Sequence, residues 1–128
     1  MRVLQFSFGE DDRLRPHHYP RRCVVYTGTH DNNTTVGWFR EGGADRQRAL
    51  RYADCRPNAI HWGLIRVAQQ SVANLAITPV QDLLGLGSEA RMNRPGSVRG
   101  NWRWRLRVGQ LRRTHARRLA RLAEDAGR

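Results

Sequence analysis

Short strand-like and helix-like stretches alternate along the chain. Residues 1–8 (MRVLQFSF) form a short β-prone run of mixed apolar and polar positions, which predicts a first strand. Residues 9–22 are polar, carry Pro16 and Pro20, and read as an irregular connection. A second strand is predicted over 23–27 (CVVYT). It runs into GTHDNNTT, where Gly28 gives the backbone freedom and the Asn/Thr cluster supplies side chains that bond local backbone. Residues 36–52 read as one or two helical pieces broken at Gly42 and Gly43. The clearest helix spans 58–73, where Ile60, Leu64, Val67, Ala68 and Val72 recur three or four apart and share one face. A third strand follows at 75–80 and ends in the polar pair Gln81 and Asp82. Residues 85–101 form a Gly- and Asn-rich loop. A closing helix is predicted over 110–125, with Leu111, Ala116, Leu119 and Leu122 on one side.

This alternation predicts an α/β fold with parallel strands. Three such strands make a poor sheet on their own, because a parallel sheet needs both faces covered and its edges invite further pairing. The expectation is therefore a part of a larger sheet, with Val3, Val25 and Ile77 turned toward missing neighbours. No repeat and no low-complexity linker interrupts the pattern.

Composition narrows the class. A chain of 128 residues has the size of one ordinary domain, and a hydrophobic content of 39% with a mean hydropathy of -0.72 leans toward the polar edge of globular proteins. No stretch approaches the ~18 apolar residues of a membrane span, and the N-terminus lacks a signal peptide's layout. Cys23 and Cys55 are far apart and have no metal-ligand spacing, so they are expected to be reduced thiols in a cytoplasmic protein. The net charge of +12 comes wholly from arginine, since the chain has no lysine. Much of it lies in residues 101–128, an attraction in principle for phosphate or acidic lipid.

The densest cluster of chemistry-bearing side chains is residues 27–35, TGTHDNNTT, where the second strand ends. From the residues alone, Asp31 fits two roles, a cap for the following helix or a functional carboxylate, and His30 fits either a hydrogen-bonded filler or a site residue.

GTHDNNTT, with VVYT before it and VGWF after it, resembles the seventh-strand motif of the amylomaltase-type 4-alpha-glucanotransferases of the alpha-amylase clan. Four further blocks match in the same order: MRVLQFSF, RPHHYP, AITPVQDLLGLGSEARMN and RPGSVRGNWRWR. The resemblance implies that residues 1–128 are a C-terminal segment of a (β/α)8 catalytic barrel, its last three strand-helix units. It implies a retaining transfer between alpha-1,4-glucans or maltooligosaccharides, with no cofactor and no metal. Asp31 matches the carboxylate that stabilises the transition state, and His30 matches the neighbouring residue that binds the same sugar. Asn93 matches a substrate-contacting asparagine. Glu10 falls where the family has an acidic glucan contact, although Asp11 aligns almost as well.

The nucleophile and the acid/base of the resembled reaction belong to the fourth and fifth strands, upstream of MRVLQF. An N-terminal barrel part is therefore an expected partner. Two positions depart from the family pattern: Asn33 stands where it usually has aspartate, and His18 where it has asparagine. Two rival readings remain open. NWRWRLR interleaves aromatic rings with arginines as nucleic-acid-stacking surfaces do, and the chain is also compatible with a non-functional truncated product.

Overall fold

The computed structural model describes all of residues 1–128. Three strands form one parallel sheet in sequential order: β1 (Arg2–Val3), β2 (Val24–Tyr26) and β3 (Leu75–Ile77). Five helices accompany them: α1 (Thr35–Arg40), α2 (Ala44–Tyr52), α3 (Ile60–Gln70), α4 (Val80–Leu83) and α5 (Arg113–Asp125). None is long and apolar enough to cross a membrane.

Register fixes which face of the sheet is covered. Arg2, Val25 and Ala76 are in register across the three strands. Of these, Val25 is fully buried and Ala76 packs on the core built from Leu4, Phe8, Trp38, Ala49, Ile60 and Leu64. The alternate positions point the other way: Val3 pairs Tyr26, which pairs Ile77, and Val24 pairs Leu75. Leu75 and Ile77 remain 57% and 42% exposed. Ile77 thus lies exposed on the face away from the helices, as expected, whereas Val3 shares that face but is buried at 8% exposure and does not lack neighbours. Val25 is not on that face, because the one-residue offset turns it into the helix-packed core.

The helix periodicity holds where burial could enforce it. In α3, Ile60, Leu64, Val67 and Ala68 are buried on one side. The helix stops at Gln70, however, and Val72 is 52% exposed beyond it. Helices α1 and α2 are separate, with Gly42 and Gly43 at φ of 77° and 104° between them, a conformation that side chains resist.

The strands are shorter than the sequence predicts. After Val3 the chain enters a 3-10 turn over Leu4–Phe6, closed by the Ser7 N–H on the Leu4 carbonyl. Leu4 and Gln5 are both buried while Phe6 is 66% exposed, a sequence of environments that an alternating strand with one covered face does not offer. Strand β3 ends before Pro79, which precedes α4 and has no N–H for a ladder.

Helix α5 begins three residues later than predicted and buries none of its side chains fully. Arg118 lies 4.2 Å over the Trp62 ring of α3, a cation–π contact. Arg128, just past the helix, donates to the carbonyls of Gln69, Ser71 and Ala73 at 2.6, 2.8 and 2.5 Å. These carbonyls lie at the C-terminal end of α3, where backbone acceptors lack helical partners and a cation is favoured.

Candidate active site at the strand ends

The loop after β2 is held in place from below. Thr27 is buried and its hydroxyl donates to Asp82 Oδ2 at 2.6 Å, while the Thr35 N–H donates to Asp82 Oδ1 at 2.6 Å. Asp82 comes from α4, so one carboxylate clamps both ends of the 27–35 segment to the end of β3. Burial pushes the Asp82 carboxyl above its usual range, against the two hydrogen bonds that favour the charged form. Above the clamp, Asn32 Oδ1 accepts from the Thr29 N–H and hydroxyl at 2.9 and 2.7 Å, which closes the turn through a side chain.

The two candidate roles of Asp31 separate here. Thr34 caps α1, its hydroxyl oxygen accepting from the Gly37 N–H at 3.1 Å. The Asp31 carboxylate turns away from the helix, and its Oδ1 accepts from Asn93 Nδ2 at 2.6 Å. His30 Nε2 stands 3.4 Å from the same oxygen. Oδ2 has no partner in the chain. Asp31 and His30 side chains are 51% and 57% exposed, so His30 is not an interior filler.

Arg91 ties the two loops together, donating to the Asp31 carbonyl at 2.7 Å and to the Asn93 carbonyl at 2.8 Å. The Asn93 N–H in turn donates to the His30 carbonyl at 3.0 Å. Trp102, at φ 60°, packs its ring 5.2 Å from that of His30. One aromatic of the NWRWR segment therefore belongs to the Asp31 neighbourhood. Arg105 folds back onto the carbonyls of Trp102 and Trp104 at 2.7 and 2.9 Å, so its Nη1 is engaged with the segment's own backbone.

The structure thus brings Asp31, His30 and Asn93 into one contact group. Arg91 and Trp102 join them, two residues that the sequence reading did not single out although both lie in the matched blocks. Glu10 is not joined to the group by any hydrogen bond. It is exposed and makes no side-chain bond, whereas the neighbouring Asp11 is engaged by Arg13 through both oxygens at 3.0 Å. A cleft of about 180 Å³ opens beside His30, lined by Gly28, Thr29, Thr34, Gln81 and Met92 among others. This is smaller than the ~300–1,000 Å³ of a typical ligand pocket, and of the contact group only His30 and Arg91 line it.

Asn33, one of the departures from the family pattern, is buried. Its amide donates to Glu41 Oε1 at 2.7 Å and to Ser88 Oγ at 2.9 Å. Its carbonyl accepts from Gln5 Nε2 at 2.8 Å, which links the loop to the end of β1.

Comparison with known proteins agrees with this architecture. The sequence profile of the 4-alpha-glucanotransferase family, glycoside hydrolase family 77, matches residues 1–111. A 4-alpha-glucanotransferase of Synechocystis is 53% identical over 116 residues, covering 87% of this chain and 23% of that protein. One from Thermus thermophilus is 48% identical, covering all of this chain and 28% of that protein. The amylomaltase from Streptococcus agalactiae, solved in complex with acarbose, superposes with a TM-score of 0.92 at 32% identity, over the whole of this chain and 27% of that one. The chain therefore spans about a quarter of the length of the relatives it matches. By profile, identity and superposition alike, this chain belongs to the 4-alpha-glucanotransferase family.

Proposed function

We propose that residues 1–128 are the last three strand-helix units of a (β/α)8 barrel that transfers alpha-1,4-glucan segments between maltooligosaccharides or glucans. One observation carries this reading. Asp31 presents an unpartnered Oδ2 at the C-terminal end of a parallel strand while Asn93, from a different loop, holds Oδ1 at 2.6 Å. Barrel enzymes place their reacting groups at those strand ends. The apolar sheet face bearing Leu75 and Ile77, which the helices leave exposed, suits the layered interior of such a barrel. The acarbose complex of the related amylomaltase supports an alpha-glucan as the ligand class. The free thiols Cys23 and Cys55 suit a reducing, cytoplasmic setting.

In this reading the reaction is retaining. A nucleophile and an acid/base, about 5 Å apart, come from barrel strands outside these residues. Asp31 accepts hydroxyl hydrogen bonds from the donor sugar through Oδ2, and these bonds shorten as the ring flattens toward an oxocarbenium ion. Asn93 and Arg91 hold its side chain and backbone still, so that little reorganisation accompanies the step. His30 and Asn93 contribute further sugar contacts, and Glu10 or Asp11 supplies an acidic glucan contact.

The test is a chimera in which the upstream strands of a related 4-alpha-glucanotransferase complete the barrel. Asp31→Asn is expected to lower kcat for maltotriose disproportionation by about two orders of magnitude, roughly 3 kcal/mol. Full activity in that variant would remove Asp31 from the site and this mechanism with it.

A further inference from the structure

The connection after β1 holds a cluster of donors that the glucan chemistry does not use. Asp12, His17 and His18 each place one potential ligand atom within 4.8 Å of the other two. All three side chains are exposed, but the backbone beneath them is anchored on both sides. Pro16 opens a 3-10 turn over Pro16–His18 and is buried, and Tyr19, just after it, is only 5% exposed. Consecutive histidines would diverge on a strand. This turn instead brings their rings to 4.2 Å between centroids.

The histidine environment resembles that of a metal-ligating imidazole. His17 Nδ1 lies 3.0 Å from the Tyr52 hydroxyl, and the two rings stack at 12° with centroids 5.8 Å apart. Nε2 of His17 is left as the free nitrogen, and a partner on the other nitrogen is what fixes tautomer and ring orientation in ligating histidines. His18 Nε2 stands 3.4 Å from Asp12 Oδ2. That is long for a hydrogen bond. It matches the spacing of two ligands in a tetrahedral shell, which with bonds of ~2.0–2.1 Å is roughly 3.4 Å. The other Asp12 oxygen, Oδ1, is 3.4 Å from Arg15 Nε, and Arg15 Nη1 donates to the Ser7 carbonyl at 2.8 Å. Oδ2 therefore faces the histidines while Oδ1 faces the guanidinium.

We propose that Asp12, His17 and His18 bind one divalent transition-metal cation of the zinc class. Two imidazoles and one carboxylate suit such an ion, whereas calcium and magnesium take all-oxygen shells. Three protein ligands leave a fourth position open to water. His18 is the position where the resemblance implies asparagine, so the cluster contains a donor that the family pattern lacks.

The experiment is a calorimetric titration of the metal-free 128-residue chain with Zn²⁺, repeated on variants. One equivalent is expected to bind. His18→Asn and Asp12→Asn are each expected to weaken binding at least tenfold, and Tyr52→Phe, which keeps the stacked ring and removes the hydroxyl, by about tenfold. His115→Gln, in α5, is expected to bind as the parent does. Co²⁺ supplies a second readout, with ligand-field bands expected and no thiolate-to-metal charge transfer. Parent-like affinity in His18→Asn would overturn the site. A thiolate band, or loss of binding only when Cys23 and Cys55 are both replaced by serine, would overturn it equally.

Discussion

Replacing Asp82 tests how the strand-end loop is held. Its two oxygens accept the Thr27 hydroxyl and the Thr35 N–H, each at 2.6 Å, and the residue is 1% exposed. Hydrogen bonds to a charged group contribute about 1.5–3 kcal/mol each, and breaking them here also orphans a buried N–H. Against this stands the cost of keeping the carboxylate out of water, which removal relieves. Asp82→Ala is therefore expected to lose about 2–4 kcal/mol. Asp82→Asn keeps an acceptor for the Thr35 N–H, and its amide can donate to the Thr27 oxygen once that hydroxyl rotates, so it is expected to stay within about 1 kcal/mol of the parent near neutrality. The pH dependence has a definite sign. Burial raises the folded carboxyl above its unfolded value of 3.8. The stability this group contributes is thus fully present below pH 3.8 and declines as pH rises through the folded value. Asparagine does not titrate, and all other groups are shared, so the difference between Asp82→Asn and parent should move in favour of the variant from pH 4 to pH 8. Urea denaturation followed by far-UV circular dichroism across that range reads the difference directly. Parent-like stability in Asp82→Ala, or a difference that moves in favour of the parent with rising pH, would refute the reasoning.

Thr34→Ala should lower stability by about 1 kcal/mol through loss of the α1 cap, whereas Asp31→Asn should leave the melting temperature close to the parent's; the reverse order in thermal melts would restore Asp31 as the cap. At Gly37 helix propensity and packing make opposite predictions: alanine is favoured intrinsically by about 1 kcal/mol, but its Cβ would press on Asn33 Oδ1 and Ser88 Oγ. Overpacking of this kind costs about 1–3 kcal/mol, so Gly37→Ala is expected to be destabilising, and a raised midpoint in urea would contradict the packing. His61 is half-buried with an unpartnered Nδ1, and burial together with the Arg118 charge pushes its imidazole below the usual value. Its stability contribution is present above the unfolded value of 6.5 and is lost as pH falls through the depressed one. His61→Gln should therefore gain on the parent between pH 7 and pH 5, measured by melting temperature.

Features encoded locally were legible in the sequence. The GTHDNNTT segment declares itself as a strand end because turn-forming residues follow CVVYT directly. Helix α3 is legible because Ile60, Leu64, Val67 and Ala68 repeat at the helical period and are all buried. Gly42 and Gly43 mark the break between α1 and α2. What was not legible depends on residues far apart. Asp31 and Thr34 are both competent caps by type, and the choice between them is made by Asn93, 62 positions away. The clamp on Asp82 joins residues 55 and 47 positions apart. The early end of β1 follows from Gln5, whose amide reaches Asn33, and the face of Val25 follows from a register that only strand pairing determines.

The way α5 is attached has a dynamic consequence. An amphipathic helix usually adheres through a continuous apolar seam, and its detachment costs in proportion to area. Here no α5 side chain is fully buried. Leu119, Leu122 and Ala123 form only a half-buried seam, supplemented by the Arg118 ring contact and by the Arg128 guanidinium on carbonyls at and after the end of α3. A helix held by so thin a seam and two point contacts is expected to open as a unit, in the manner of a low-stability cooperative segment. Its amides should then exchange with deuterium at one common rate, well ahead of those in α3. Trimming or substituting the single residue Arg128 should accelerate all of them together, so that the final guanidinium acts as a latch on thirteen residues of helix.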